Sequence, residues 1–155
     1  MTFDSCTLQP LTEETAAEIT QWEYPKPYDS YSLKGRPNGY LLDKKTWGTE
    51  QFSLCCNQTV VGQVACQFDN DQLWVGWSLA PVFCGNGNGC SFVEKCIEEI
   101  RRIKQYKGKI YLRVAAFNKR AIKVYQKAGF TYLKTIQDEI AYSNQVEDFW
   151  IMRRE

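Results

Sequence analysis

At residues 79–89 the sequence reads Leu79-Ala80-Pro81-Val82-Phe83-Cys84-Gly85-Asn86-Gly87-Asn88-Gly89, which joins an aromatic-rich strand pattern to an amphipathic helix pattern. The N–H groups at a helix start have no partners within the helix and carry the positive end of its dipole, so they can hold an anion. Glycine adopts positive φ angles and has no Cβ to keep a phosphate at a distance. Taken alone, such a loop fits both a pyrophosphate site and a simple turn.

The pattern after the loop favours the first interpretation. Apolar residues recur at helical spacing with charged residues between them, which predicts a helix with one buried face; they are Cys90, Phe92, Val93, Cys96, Ile97, Ile100 and Ile103. Residues 110–116 then form a buried strand pattern. Asn118 can cap a second helix that Gly129 ends. The order is therefore strand, loop, helix, strand, helix.

These residues resemble the GCN5-related N-acetyltransferase (GNAT) superfamily. The first motif, Leu-x-Pro-x-x-x-Gly-x-Gly-x-Gly, is similar to the acyl-CoA pyrophosphate loop of that superfamily. The second, Asn118-x-x-Ala121-x-x-x-Tyr125-x-Lys127-x-Gly129-Phe130, is similar to its helix that carries Asn and Tyr near the thioester. Both lie in the expected order, and together they cover residues 75–131.

The resemblance implies that the chain binds acetyl-CoA (coenzyme A). The residues that it assigns to the cofactor are Ser78, Leu79, Cys84, Gly85, Asn86, Gly87, Asn88, Gly89, Cys90, Asn118 and Ala121. Cys84 departs from the family pattern, which usually has Arg or Gln at this position. Because most of such a site consists of backbone amides, we expect binding to survive with less charge complementarity.

The resemblance also implies a mechanism in which an amine attacks acetyl-CoA directly, without a covalent enzyme intermediate. The strands ending near Leu79 and Ala116 are expected to splay apart, and a bulge in the first is expected to aim a backbone N–H at the thioester carbonyl. Tyr125 is the candidate acid for the leaving thiolate. Tyr125 also fits a core residue, and Asn118 also fits a helix cap.

The general base is less clear, because the chain has no histidine. Asp71 is the candidate, although it also fits a turn residue in Asp69-Asn70-Asp71. The acceptor surface is expected in the loop between the first helices, where aromatic side chains can contact an amine; its candidate residues are Trp22, Glu23, Tyr24, Tyr28 and Tyr31. An aromatic loop that only covers the sheet is the alternative. Small amines, polyamines, amino sugars and protein N-termini all remain possible acceptors.

The remaining pattern predicts an α/β (α+β) domain with a mixed, mainly antiparallel sheet of about six to seven strands and helices on both faces. Strands are expected at residues 5–11, 51–57, 60–68, 72–79, 130–136 and 146–153, with a helix from Thr12 towards Trp22 and a short one over residues 39–45. The whole of residues 1–155 is expected to be one domain.

Composition limits the classes of partner that the chain is expected to bind. The 155 residues carry a net charge of +1 with acids and bases interspersed, so neither nucleic acid nor a membrane surface is expected as a partner. No segment reaches the roughly eighteen apolar residues of a membrane span. Seven cysteines without metal or redox spacing indicate small core residues in a reduced, cytoplasmic protein with no metal, and only Cys84 is left open. We expect a monomer or homodimer.

Two other function classes remain. One is an acyl-CoA-binding sensor with the same fold and no chemistry, which Cys84 and the unclear base favour. The other is a protein-interaction domain that uses the tyrosine-rich loop. Turnover with acetyl-CoA separates an enzyme from both, and stabilisation by coenzyme A separates a binder from the interaction domain.

Overall fold

The computed structural model of this chain describes residues 2–140 and 145–155. Seven strands follow the chain as β1 (Thr7–Pro10), β2 (Gln51–Cys56), β3 (Thr59–Asp69), β4 (Gln72–Leu79), β5 (Ile110–Ala115), β6 (Thr131–Glu139) and β7 (Val146–Arg154). The helices are α1 (Glu13–Ile19), α2 (Gly89–Lys104) and α3 (Lys119–Lys127). Short 3-10 turns occupy Asp29–Tyr31, Lys44–Thr46 and Pro81–Phe83.

All seven strands form one sheet in the order β1-β2-β3-β4-β5-β7-β6. Within the described residues, β4 and β5 are the one parallel pair, and every other neighbouring pair is antiparallel. The parallel pair exists because α2 carries the chain from the end of β4 back to the start of β5, as parallel strands require. The predicted mixed, mainly antiparallel sheet is confirmed.

Helices cover both faces of this sheet, as predicted. Consecutive strand residues point to opposite faces, and the neighbours Val60 and Val61 pack into two different apolar clusters. The larger cluster contains Phe92 of α2 and Ile122 of α3, while the smaller contains Ile19 of α1. None of the helices in the described ranges is long and apolar enough to cross a membrane.

The start of α1 shows how local chemistry sets an element boundary. Thr12 Oγ1 accepts from the Thr15 N–H at 3.1 Å, and Thr15 Oγ1 accepts from the Thr12 N–H at 2.9 Å. A capping box usually has Glu or Gln at the second position, but here the shorter threonine completes it. Two of the unpaired donors at the helix start are satisfied in this way.

The helix predicted over residues 39–45 is wrong. Asn38 has a φ of +52°, residues beyond it form turns, and only the Lys44–Thr46 segment is a 3-10 turn. The Asp43 carboxylate accepts from the Lys45 N–H at 3.1 Å, which offers the backbone a local alternative to a helix. Leu41 is buried in the smaller cluster, so its apolar signal came from tertiary packing.

The cysteine prediction holds in part. Cys55, Cys66 and Cys96 are buried and free, as expected of small core residues, and burial raises the pKa of the Cys66 thiol to about 11. Cys6 and Cys56 are buried in the larger cluster as well, but they form a disulfide between the segment before β1 and the end of β2, so the expectation that they are reduced is wrong. The two residues are 50 positions apart in sequence, and their Cα atoms are 4.2 Å apart. Sequence spacing carries no signal for a pair brought together by neighbouring strands.

Candidate active site

The strands β4 and β5 pair only at their beginnings. Leu73 lies opposite Ile110 and Trp74 opposite Tyr111, and no pairing between these two strands follows in the part of the chain that the structure describes. A cavity of about 650 Å³ fills the resulting gap and reaches both faces of the sheet. The predicted splayed pair is therefore present, and its volume lies within the usual range for small-molecule sites, roughly 300–1,000 Å³.

The Leu79 N–H faces this gap. The Ala80 N–H bonds to the Val61 oxygen of β3 at 2.8 Å, and in an antiparallel pair such groups alternate between the two sides of a strand. Leu79 therefore points its N–H and C=O away from β3, towards the gap beside β5. The bulge predicted in β4 is absent, because the register with β3 runs without a shift from Leu79 to Gln72. Regular alternation presents the donor instead.

The glycine loop opens onto the same cavity. Gly85 and Gly87 line it, with φ angles of +84° and +74°, and a Cβ built on either meets nothing within 4 Å. Gly89 serves a different purpose, since a Cβ there would lie 3.0 Å from Val124 Cγ2 of α3. The first two glycines therefore provide the backbone conformation of the loop, and the third provides the close contact between α2 and α3.

The N-terminus of α2 has no side-chain cap. Asn88 occupies the cap position, but its amide donates to the Phe83 oxygen at 2.9 Å, which holds the loop together. The first turn of α2 also contains no acidic residue. The N–H groups at the start of α2 therefore have no side-chain oxygen as an acceptor, and the glycine-rich loop lies next to them. This arrangement suits an anion.

Cys84 lies half-buried against the end of β4. Its sulfur is 3.6 Å from the carbonyl oxygens of both Leu79 and Ala80. Burial raises the pKa of the thiol, and the smaller opposing effect comes from Arg120. Cys84 therefore stays a neutral thiol and supplies no positive charge to the loop.

Tyr125 of α3 lies at the gap with its hydroxyl next to Trp77. The indole N–H of Trp77 donates to the Tyr125 hydroxyl oxygen at 3.1 Å, which leaves the tyrosine proton for another acceptor. Burial raises the pKa of Tyr125 to about 12, against a smaller lowering by the Trp77 hydrogen bond. The hydroxyl is therefore protonated throughout the neutral range.

Asn118 is both a helix cap and a cavity residue. Its side-chain oxygen accepts from the Ala121 N–H at 3.1 Å and so caps α3. Its amide nitrogen lies 3.4 Å from the Tyr31 hydroxyl, which it joins across the mouth of the cavity. Burial raises the pKa of Tyr31, so this tyrosine is also neutral.

The aromatic loop closes the other side of the cavity. Tyr24 donates its hydroxyl to the Leu79 oxygen at 2.7 Å and ties the loop to the end of β4. Tyr28 lies beneath the Arg120 guanidinium, whose central carbon is 4.1 Å from the ring centroid. Tyr24, Tyr28 and Tyr31 all line the cavity, together with Ser78 and Ala121.

Six of the predicted residues lie elsewhere. Trp22 is buried in the smaller apolar cluster, and Glu23 is exposed with its carboxylate 3.9 Å from Lys34 Nζ. Asn86 and Cys90 belong to the loop and to the first turn of α2 but do not line the cavity, and Asn88 turns inward to Phe83.

Asp71 is the sixth. It has a φ of +65° in the turn between β3 and β4, at the opposite end of β4 from Leu79, and it is not a cavity residue. Asn70 beside it has a φ of +51°, as two-residue hairpin turns require. The position of Asp71 fits a turn residue and gives no geometric support to a role as the general base.

The structure adds cavity residues that the sequence analysis missed. Arg120 and Arg113 both line the cavity, as does Tyr40. The sequence could have indicated a functional role for Arg120. This residue lies in the first turn of α3, where the helix dipole disfavours a cation and where no acidic residue compensates for the charge. Arg113 interrupts an otherwise apolar strand, a second signal for a functional position.

Tyr40 connects the cavity to a carboxylate. Its hydroxyl donates to Glu50 Oε1 at 2.7 Å, and the Gln67 amide donates to both the Tyr40 hydroxyl and that carboxylate, at 2.8 Å and 2.7 Å. Burial, followed by the bond to Glu50, raises the pKa of Tyr40. Tyr40 therefore joins the cavity wall to the Glu50 carboxylate. Among the hydrogen bonds of the described residues, this one links a tyrosine of the cavity to an acid.

Comparison with known families agrees with this geometry. The family model described as an acetyltransferase (GNAT) domain matches residues 7–131, which is most of the chain. The chain belongs to the GNAT acetyltransferase family. A comparison with curated proteins finds no match.

Solved structures share the fold at low sequence identity. A chimera of the Vibrio cholerae spermidine N-acetyltransferase SpeG with hSSAT superposes with a TM-score of 0.75 at 19% identity, covering 97% of this chain and 95% of the other. AAC(6')-Ib in complex with ribostamycin and coenzyme A gives 0.72 at 20%, covering 97% and 93%. The protein yncA of Salmonella typhimurium, solved with its cofactor acetyl-CoA, gives 0.64 at 15%, covering 98% and 94%.

Acetyl-CoA is the acyl donor of this family, and the residues present here fit it. The loop at Gly85 and Gly87 leaves open space where a Cβ would stand, and the N–H groups of α2 beside it have no side-chain cap. Arg120 adds a positive charge at the same end of the cavity, close enough to Cys84 to influence the pKa of its thiol. Backbone donors, open space and one cation are the features that a diphosphate requires.

Proposed function

We propose that this protein is a single-domain N-acetyltransferase that transfers an acetyl group from acetyl-CoA directly to a primary amine bound in the same cavity. One observation carries the proposal: the splayed strands, the Leu79 N–H and the uncapped N-terminus of α2 all meet at one cavity. Family membership supports the reaction type.

The cofactor would be held mainly by main-chain groups. The loop at Gly85 and Gly87 and the first N–H groups of α2 would bind the diphosphate, with Arg120 supplying the charge that Cys84 does not. The free edges of β4 and β5 would pair with the amide groups of the pantetheine arm as an added strand would. When bound, acetyl-CoA supplies the acetyl group as a thioester.

Direct transfer is favoured because the cavity offers no activated nucleophile. Cys84 is the lone cysteine among the described cavity residues, and burial raises the pKa of its thiol. A neutral thiol is a weak nucleophile, and the chain contains no histidine to deprotonate it. The amine itself is therefore the attacking group.

Two donors would stabilise the charge that develops. The Leu79 N–H faces the gap, where it would donate to the carbonyl oxygen as negative charge grows on it. Tyr125 would donate its hydroxyl to the sulfur. Since the pKa of Tyr125 is about 12 and that of a thiol is about 8.5, this tyrosine would stabilise the thiolate by a hydrogen bond more readily than by giving up its proton.

The proton of the amine needs a way out. We assign this to the Tyr40 hydroxyl, which lines the cavity and already donates to the Glu50 carboxylate. A proton accepted by the tyrosine oxygen would be matched by transfer of the tyrosine proton to Glu50, so Tyr40 stays neutral. We propose this route in place of Asp71 because Tyr40 lines the cavity and Asp71 does not.

A sensor that binds acyl-CoA without turnover is the second candidate, favoured by one observation, the thiol at Cys84 where the family has Arg or Gln. Incubation with acetyl-CoA and primary amines separates the two. An enzyme releases free coenzyme A thiol only when the amine is present, and an acetylated amine appears in equal amount. Saturable binding of coenzyme A with no thiol release above the uncatalysed rate would establish the sensor instead.

A further inference from the structure

The acceptor half of the cavity has an unusual set of charges. No aspartate or glutamate occurs among the described residues that line the cavity, whose charged members are Arg113 and Arg120. Residues 141–144 lie outside the described ranges, but their sequence, Ala-Tyr-Ser-Asn, contains no acid either. Arg120 lies at the diphosphate end, beside Cys84, so the acceptor end of the wall holds one cation, Arg113, and no carboxylate among the described residues.

Three acids interact with residues of this wall. Asp138 of β6 forms an ion pair with Arg113. Glu50 lies behind Tyr40 and accepts from it and from Gln67. Glu147 influences the Tyr31 hydroxyl only weakly, as the smallest of the effects that shift the pKa of that tyrosine. Each of these carboxylates therefore acts on the cavity only through a lining residue, and Glu50 does so through a hydrogen bond from a tyrosine.

Flat aromatic surfaces dominate what remains. Arg113 packs over the Phe149 ring at 4.6 Å, which occupies one face of its guanidinium. Tyr31 stacks with Phe117 at a centroid distance of 6.2 Å. The rings that line the cavity here are those of Phe149, Tyr31, Tyr28 and Tyr40. Such a wall gains more from contact with a flat, apolar body than from contact with a chain of charges.

We propose that the acceptor is a monoamine with an apolar, preferably aromatic body and no second charge. This inference rests on the proposed function and specifies its substrate class. The single ammonium would be received by the tyrosine faces and by the Tyr40–Glu50 pair, through cation–π contact and hydrogen bonding. A second ammonium would lose its water without finding a carboxylate, which opposes binding of polyamines and aminoglycosides.

The test measures amine binding to the protein saturated with coenzyme A, by calorimetry, and acetylation with acetyl-CoA in parallel. The probes are 2-phenylethylamine, spermidine, kanamycin and phenylalanine. We expect 2-phenylethylamine to bind at least tenfold more tightly than each of the other three, with the same order in kcat/KM. Spermidine or kanamycin binding as tightly would overturn the proposal, and so would phenylalanine, because that result would make Arg113 a carboxylate site.

A charge introduced into the wall provides a second test. Ala65 of β3 lines the cavity, and Ala65→Asp places a carboxylate there. We expect this variant to gain about tenfold in affinity for spermidine relative to 2-phenylethylamine. The matched control, Ala17→Asp, adds the same charge at an exposed position of α1 and should leave that ratio unchanged. An Ala65→Asp protein that binds coenzyme A normally but keeps the original ratio would contradict the inference.

These outcomes are distinct from failure of the proposed function. If coenzyme A does not bind to the unmodified chain, the proposed cofactor site is wrong. If coenzyme A binds and no amine is acetylated, the transfer reaction is wrong, while the order of amine affinities still decides for or against a monoamine site. The binding arm therefore reports on the acceptor class whether or not turnover occurs.

Discussion

Tyr125→Phe removes one oxygen atom at the meeting point of α3 and β4, and its consequences follow from two contacts. The Trp77 indole N–H loses its acceptor at 3.1 Å, and leaving a partly buried donor unpaired costs up to about 1–3 kcal/mol. For a domain of this size such a loss lowers Tm by a few degrees. The ring itself remains packed against Phe130, so we expect a folded protein.

The same change removes the donor that faces the sulfur. Removing one hydrogen-bond donor that stabilises developing negative charge costs on the order of 10²–10³ in rate, so kcat should fall by about a hundredfold or more while the affinity for coenzyme A changes little. Because the pKa of Tyr125 is about 12, the hydroxyl is protonated over the whole assay range. The loss of rate should therefore be constant from pH 6 to pH 10.

The assay follows thiol release from acetyl-CoA with a saturating amine, alongside calorimetric titration of coenzyme A. Tyr132→Phe is the matched control, since that exposed tyrosine of β6 bonds to Thr135 and lies outside the cavity. An unchanged kcat in Tyr125→Phe would refute the role of the hydroxyl. A loss of coenzyme A affinity equal to the loss of rate would show that Tyr125 only shapes the site.

Three further changes test the loop, the missing charge and the proton route. Gly87→Val should abolish measurable coenzyme A binding, because a valine is strained at a φ of +74° and its side chain fills open space in the cavity. Gly35→Val is the control: it has a similar φ of +78° but lies outside the cavity, so this variant should bind normally in the same titration. Arg120→Ala should raise the Kd for coenzyme A about tenfold and weaken its dependence on salt, while Lys123→Ala, an exposed cation on the same helix that does not line the cavity, should do neither. Glu50→Gln should lower kcat for an amine of high pKa more than for one of low pKa at pH 7, and equal losses for both amines would remove Glu50 from the route of the proton.

Alkaline unfolding gives a separate check on the burial of Tyr125. Its pKa is raised to about 12 from an unfolded value near 10, so the unfolded chain releases the proton first. The contribution to the free energy of unfolding is therefore fully present below pH 10 and is lost as pH rises towards 12. In urea titrations the Tyr125→Phe protein should lose less stability than the original across this range. A loss of equal size in both would place the hydroxyl in water.

Much of the architecture was available from local patterns. β4 was predicted with its observed bounds. Its aromatic and apolar residues alternate along the strand, and the segment is bounded by a turn before it and by Pro81 after it. The glycine loop and the Asn118 cap could be predicted for a similar reason. The spacing of glycines and the presence of a capping residue both depend on the local backbone conformation. The family resemblance rests on these same residues.

The acceptor side was less accessible to prediction because it is assembled from distant segments. Tyr40 and Glu50 lie ten residues apart, and Gln67 of β3 donates a hydrogen bond to each of them. Asp71 seemed near the cleft by topology, but the direction of β4 takes it to the far end of the strand. Glu23 and Trp22 border the loop that lines the cavity, yet the path of the chain exposes Glu23 and buries Trp22. Which face a loop residue presents is decided by tertiary contacts.

The central claim, that coenzyme A enters the gap between β4 and β5 with its diphosphate at the start of α2, is tested most directly by amide chemical shifts during a titration with coenzyme A. We predict that the amides of Leu79, Gly85 and Gly87 shift together and saturate at one equivalent. Shifts confined to the second cavity, of about 420 Å³ and lined by Thr49, Lys104 and their neighbours, would contradict the account, as would no shift at all.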